Sequence, residues 1–317
     1  MSRGPESLAD RVLAGDVRAA ARLIRLVDDA DPSAAAAMRR LYPHAGRAIV
    51  IGLTGSPGAG KSTLADQLVA YFRGQGKTVG VLAVDPTSPF SGGAILGDRI
   101  RMNRHATDPG VFIRSLATRG ALGGLSRSTA QGVTIMDALG RDVILVETVG
   151  VGQDEVEVMR LADTTIVVVV PGMGDDVQAI KAGILEIAQV FVVNKADREG
   201  ANRTAAELEQ MLTLTPPPPG AWKPPILLAE AHRGKGIAEI VDAVFRHRAH
   251  LEARGRMGVL RRERARREFL DLLRDRLLDD AIARLGGEAG VERIVGRLAE
   301  RETDPYSAVE SVVGGRS

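Results

Sequence analysis

The run Gly55-Ser56-Pro57-Gly58-Ala59-Gly60-Lys61-Ser62-Thr63 has the residue types of a phosphate cradle. It matches the pattern GxxxxGKS/T. Glycines let the backbone wrap a phosphate with its N–H groups turned inward, and the helix that follows adds partial positive charge. Lys61 is then set to reach the β- and γ-phosphates, and Ser62 to offer a hydroxyl to Mg²⁺. The flanks agree: an apolar run at 48–54 precedes the loop, and Leu64, Leu68, Val69 and Phe72 mark a helix after it.

A second run reads a base. Residues 190–193 form a strand-like stretch that ends in Asn194-Lys195-Ala196-Asp197, the pattern NKxD. The Asp197 carboxylate can accept the ring N–H and the exocyclic amine of guanine together, a donor pair that adenine lacks. Asn194 braces the loop and meets the purine, while the Lys195 stem packs over the ring. GTP is therefore expected over ATP. A further purine contact is expected after the last strand, where Ala229-Glu230-Ala231 stands without the usual serine, which puts Glu230 and Ala231 at the nucleotide.

A third group surrounds the metal and the scissile phosphate. Residues 143–146 lead into Glu147-Thr148-Val149-Gly150, an ExxG where Ras-like enzymes carry DxxG. A carboxylate at that strand tip can hold Mg²⁺ directly or through water, and the Gly150 N–H can sense the γ-phosphate. Asp85 ends the second strand. If that strand lies beside the phosphate-loop strand, Asp85 points at the same crevice. Asp98 follows a glycine-rich stretch. Each aspartate suits a metal ligand or a group holding the attacking water; Asp98 also suits a helix N-cap, and Asp85 a turn. No glutamine follows Gly150 directly, since Gln153 comes three residues later. Slow intrinsic hydrolysis that waits for a partner is the expectation.

Seven valine- and isoleucine-rich runs (48–54, 79–84, 111–115, 143–147, 165–170, 190–193 and 226–229) do not alternate with polar residues. Strands covered on both faces read this way, so a mostly parallel sheet flanked by helices is predicted, an α/β P-loop fold. Helical patterns at 1–45 and 251–317 enclose the nucleotide-binding domain at 46–250. Residues 215–225 hold six prolines and should form a stiff surface connection.

The chain has 317 residues, 42 Lys and Arg against 40 Asp and Glu, and no cysteine. Disulfides, thiolate metal sites and a cysteine nucleophile are thereby excluded. A net charge of +2 does not call for a polyanion, and 3% aromatics leaves little for base stacking, so no nucleic-acid partner is expected. Residues 1–30 carry Glu6, Asp10 and Asp16 and lack an apolar block, and the apolar stretch at 166–170 is far short of a bilayer span. A cytoplasmic protein with no membrane partner is expected.

Taken together, the phosphate loop, Val84-Asp85-Pro86-Thr87-Ser88-Pro89 with Gly92-Gly93-Ala94-Ile95-Leu96-Gly97-Asp98-Arg99-Ile100-Arg101-Met102, Glu147-Thr148-Val149-Gly150-Val151-Gly152-Gln153, and Asn194-Lys195-Ala196-Asp197 resemble the MeaB/ArgK/MMAA family. These are G-protein chaperones of adenosylcobalamin-dependent acyl-CoA mutases. The resemblance implies a SIMIBI-type GTPase with N- and C-terminal helical extensions, the latter (251–317) a homodimerisation arm. It implies a B12-dependent mutase of the methylmalonyl-CoA type as partner, with an adenosyltransferase as a further candidate. GTP hydrolysis would gate adenosylcobalamin loading and protect or reactivate the mutase. It also implies a switch in the segment 171–181, in which Asp175, Gln178 and Lys181 link partner contact to hydrolysis and Lys181 brings charge to the phosphates. From residue type alone, Asp175 or Asp176 equally suits the cap of a helix starting at Val177. Lys61, Asp98, Glu147 and Lys181 are the catalytic candidates, and Ser62, Asp85, Asp98 and Glu147 the metal-binding ones.

Two other readings remain open on sequence. A nickel-delivery GTPase would want a histidine or cysteine cluster; only His247 and His250 are close, sharing a helix face or standing solvated near a helix end. A nucleotide-gated scaffold with negligible turnover is compatible with the missing glutamine. Between Arg254 and Arg276 nine arginines face four acids, with Phe269, Leu272, Leu273 and Leu277 at helical spacing. This suits a dimer arm, a mutase contact or a solvated amphipathic helix.

Overall fold

The computed structural model describes residues 5–85, 103–105, 107–117, 124–148, 159–172, 187–214, 218 and 220–314. Among them the strands are β1 (Ile49–Gly55), β2 (Val79–Asp85), β3 (Val111–Ala117), β4 (Val143–Thr148), β5 (Thr164–Val169), β6 (Val190–Asn194) and β7 (Ile226–Ala229). They form one parallel sheet in the order β3-β2-β4-β1-β5-β6-β7. All seven apolar runs are strands. β1, β4, β5 and β6 are buried along nearly their whole length, which is why their sequences do not alternate.

The order decides the condition on which Asp85 is placed at the phosphate-loop crevice. β2 pairs with β3 and β4, and β4 separates it from β1, so Asp85 does not end a strand beside the phosphate loop. Strand adjacency depends on how crossovers are threaded, and an apolar run carries no record of that. Asp85 still closes β2 at the same end of the sheet as Glu147-Thr148, since Val84 is in register with Thr148.

Helices cover both faces. On one, α1 (Pro5–Leu13), α2 (Val17–Asp28), α3 (Ala34–Leu41) and α5 (Gly124–Ala138) share a core with β2, β3 and β4, in which Val12, Leu23, Leu41, Leu82, Ile135 and Val146 are fully buried. The three N-terminal helices are thus built into the body that holds the sheet. α2 starts at Asp16, whose carboxylate accepts from the Arg18 and Ala19 N–H groups at 2.8 and 3.1 Å. On the other face α4 (Lys61–Gly74) and α7 (Ile237–Ala253) pack over β1, β5 and β6, while α6 (Ala201–Leu214) covers the first face at β5 and β6.

Two buried aspartates tie loops to strand starts. Asp137 accepts from the N–H groups of Gly46, Arg47 and Ala48, and Asp163 accepts from that of Val50 at 3.0 Å.

One compact unit ends at Val259 and a second begins at Leu260. The 29-residue α8 (Arg256–Arg284) has no buried residue, and Phe269, Leu272, Leu273, Leu277 and Leu278 are exposed on it. α9 (Glu288–Ala299) and α10 (Pro305–Val313) follow, the last capped by Asp304 through the Tyr306 and Ser307 N–H groups. No helix among the described residues is long and apolar enough to cross a membrane.

The histidine pair is corrected too. His247 is 4% exposed, shares a 2.9 Å hydrogen bond with the Thr164 hydroxyl, and lies against the Trp222 ring, which also meets His250. His247 is a core residue, not a solvated one. Trp222 in turn donates to the Gln189 carbonyl at 2.7 Å and so fastens the end of the proline-rich connection. Burial, and then the neighbouring His250, push the His247 pKa from 6.5 down to about 4, against a small opposing pull from Asp163. The unfolded chain therefore binds the extra proton between these two values. Stability present above pH 6.5 is lost as the pH falls toward 4, by about 3 kcal/mol. Urea unfolding across this window measures the slope; His247→Asn should flatten it, and a slope retained in that variant contradicts the assignment.

Candidate nucleotide site

The site is assembled at the C-terminal ends of β1, β4, β6 and β7. β1 ends in Gly55 with φ of 141°, where a Cβ would run into the Val168 carbonyl, so the chain can leave the sheet here only as glycine. Gly60, at φ of 88°, turns the loop into α4. A side chain at Gly60 would meet the Asn194 amide, so this glycine also lets the base loop approach. The first N–H groups of α4 have no intrahelical acceptor, as at any helix start.

Lys61 is 6% exposed, and its ammonium donates to the carbonyls of Gly55 at 2.6 Å and Ser56 at 2.9 Å. The charge is therefore held across the loop that carries Pro57, Gly58 and Ala59. Ser62 Oγ donates to Glu147 Oε1 at 2.6 Å, which brings together two metal candidates 85 residues apart. A hydroxyl and a carboxylate are the hard oxygen donors that Mg²⁺ takes, one or two from protein and the rest from phosphate and water. The pair fits that ion. Thr63 is exposed on the first turn of α4. Behind the pair, Thr148 and Thr54 join hydroxyls at 3.1 Å and link the tips of β4 and β1. Neither threonine carries a sequence signal of its own, because only the β1–β4 pairing makes them neighbours.

Asn194 does more than brace its own loop. It is 2% exposed; its amide donates to the Ala59 carbonyl at 2.9 Å, and its Oδ1 accepts from the Ala231 N–H at 3.1 Å. One side chain thus connects the phosphate loop, the base loop and the loop after β7. The Ala231 N–H, expected at the purine, is bound to Asn194. Lys195 takes a left-handed φ of 58° and donates from Nζ to the Gly58 carbonyl at 2.7 Å, and the Ala196 N–H donates to Ala229. Asp197 is exposed at the end of this tied loop. Glu230 is held by Lys235 at 3.0 Å and Arg233 at 2.8 Å, which lower its pKa in that order. Its carboxylate serves the β7–α7 turn.

Asp98, Gly150, Gln153, Asp175, Gln178 and Lys181 lie outside the described residues, as does the side chain of Asp85.

A sequence profile for the family described as "Methylmalonyl Co-A mutase-associated GTPase MeaB" matches residues 20–285. A Pyrococcus abyssi relative is 49% identical over 311 residues, covering 97% of this chain and 95% of that one. GTPase ArgK of Escherichia coli K12 is 37% identical over 264 residues, covering 80% and 79%. Among solved structures, one described as LAO/AO transport system kinase superposes with a TM-score of 0.72 at 25% identity, covering 98% of this chain and 96% of that one. With a phosphate loop, a hydrogen-bonded serine–glutamate pair and an asparagine-anchored loop after β6 at one end of the sheet, the chain belongs to the MeaB family of methylmalonyl-CoA mutase-associated GTPases.

Proposed function

We propose that the protein is a Mg²⁺-dependent GTPase whose nucleotide state gates adenosylcobalamin loading of a B12-dependent acyl-CoA mutase and protects or reactivates that enzyme. The observation that carries the nucleotide half is the Asn194 bridge, which fixes a guanine-reading loop to the phosphate loop. The mutase half is supported by the family description and its match over most of the chain.

In this reading Lys61 and the backbone N–H groups of the loop 55–63, to which Pro57 contributes only its turn, bind the triphosphate, and Asp197 reads the base. Ser62 and Glu147 hold Mg²⁺, which when bound neutralises charge on the β- and γ-phosphate oxygens. Asp98 orients the attacking water or joins the metal, Asp85 completes the acidic edge, and Gly150 senses the γ-phosphate. Asp175, Gln178 and Lys181 carry the partner's signal, with Lys181 supplying charge near the phosphates. The protein works in the cytoplasm as a homodimer through its C-terminal arm. The exposed apolar residues of α8 support that assembly. An adenosyltransferase takes part in cofactor delivery.

Phosphate release from GTP, measured alone and with a purified adenosylcobalamin-dependent acyl-CoA mutase, tests the proposal. The expected result is slow turnover alone and a rise of at least about tenfold with the mutase, reduced by Lys181→Ala. Rapid unassisted turnover, or a rate that no such mutase changes, would overturn it.

A further inference from the structure

The chemistry above uses one end of the sheet. At the other, where β1 and β4 begin, Ile49 and Val143 line an open cavity of about 630 Å³. Phe72 of α4 and Phe245 of α7 also line it, their rings edge to face with centroids 6.4 Å apart. Four cationic residues line it: Arg47, Lys77, Arg141 and Arg248. Three carboxylates do as well, but each is engaged. Asp137 accepts from three backbone N–H groups. Asp142 accepts from the Thr78 N–H and hydroxyl and lies 3.8 Å from the Lys77 ammonium. Glu252 accepts from Arg248 Nε at 2.9 Å.

Arg141 is different. It is 7% exposed, its Nη1 reaches the Pro109 carbonyl only at 3.4 Å, and among the described residues its buried Nε has no hydrogen-bond partner. The nearby Asp108 is taken by Arg73 in a two-point pair at 2.8 and 2.9 Å. Burial, and then the charge of Arg73, hold the Arg141 pKa below its ordinary value, against opposing pulls from Asp108 and Asp142. A guanidinium cannot escape by losing its proton, so the fold carries an under-compensated buried cation at considerable cost.

We propose that this cavity is a second ligand site, for a small organic anion: a carboxylate or phosphate ester on a flat apolar body, with Arg141 as its charge partner and the exposed Phe245 ring, backed by the buried Phe72, against the body. The volume is that of a small-molecule pocket, and the lining sets apolar side chains beside convergent charges, with the three carboxylates already engaged. The seven residues of β1 span roughly 23 Å between this cavity and the phosphate loop, so both sites can be filled together.

Calorimetric titration of the full-length protein saturated with GDP and Mg²⁺, which occupies the phosphate loop, tests the site. Phenyl phosphate and benzoate should bind with the millimolar affinity of fragments, inorganic phosphate more weakly, and benzylamine not at all. Arg141→Met should weaken both aromatic anions at least about tenfold while leaving GTP turnover unchanged and the melting temperature no lower, because an apolar chain replaces a poorly compensated charge. If Arg141→Met does not fold, Arg248→Gln should weaken the same two probes, and unchanged binding in it counts against the site. No heat from either aromatic anion, equal binding by Arg141→Met, or inorganic phosphate binding as tightly as phenyl phosphate would overturn the proposal.

Discussion

Lys61→Ala should lower GTP affinity or turnover roughly a thousandfold, about 4 kcal/mol, the scale expected when one member of a buried charge pair is removed. The ammonium is nearly inaccessible and already points along the loop, donating to Gly55 and Ser56. An ammonium has three donors, so it can keep part of this bracing while meeting phosphate oxygens. The same bonds mean that the alanine variant also loosens the loop. Nucleotide choice separates the two effects. Lys61 is expected to reach the β- and γ-phosphates, so GTP should lose more than GDP, which lacks the γ group. Lys61→Arg should not rescue, because a planar fork cannot fit the space of a compact ammonium between two carbonyls. Fluorescent GTP and GDP titrations, with a melting curve for each variant, give the comparison. Equal losses for both nucleotides would reduce Lys61 to a structural brace.

How much of this was legible beforehand differs between residues. The phosphate loop is read from nine adjacent residues because its function is local: glycines set the backbone and the next helix aims its N–H groups. The seven strands are legible for a related reason, since a strand buried on both faces must be apolar throughout. Pairings between distant segments leave no such trace. Nothing near Ser62 announces Glu147 at 2.6 Å, and only the motif logic of a metal-bound triphosphate relates the two. The position of β4 between β1 and β2 is not legible in the apolar runs, because crossovers decide it. Asn194 was expected at the base loop. That its amide also anchors Ala59, and its carbonyl the Ala231 N–H, follows from how closely Gly60 lets the loops approach. His247 looked like half of a surface pair because a histidine is ambiguous on a helix until its face is known. Arg141 and Asp137 had no signal at all; their meaning comes from burial.

Asp197→Asn should turn the protein from a guanine reader into a xanthine reader. The carboxylate can accept two charge-assisted hydrogen bonds from guanine, each worth about 2 kcal/mol, so losing the fit costs GTP roughly a thousandfold in affinity. The amide fails because its nitrogen faces a guanine donor. Xanthine replaces that donor with a carbonyl, so the variant's amide can accept from the ring N–H and donate to the new oxygen, recovering XTP binding. The structure makes this a clean experiment. Asp197 is exposed, so the substitution removes no core contact and the melting temperature should hold. The loop under it is fixed independently: Asn194 is bonded at both ends of its amide, Ala196 to Ala229, and Lys195 to Gly58. A reader on so firmly tied a loop changes its specificity without changing its position. Calorimetry with GTP, XTP and ATP on both proteins gives the answer. Undiminished GTP binding by Asp197→Asn, with no gain for XTP, would show that the base is read elsewhere and would detach the Asn194 bridge from nucleotide choice.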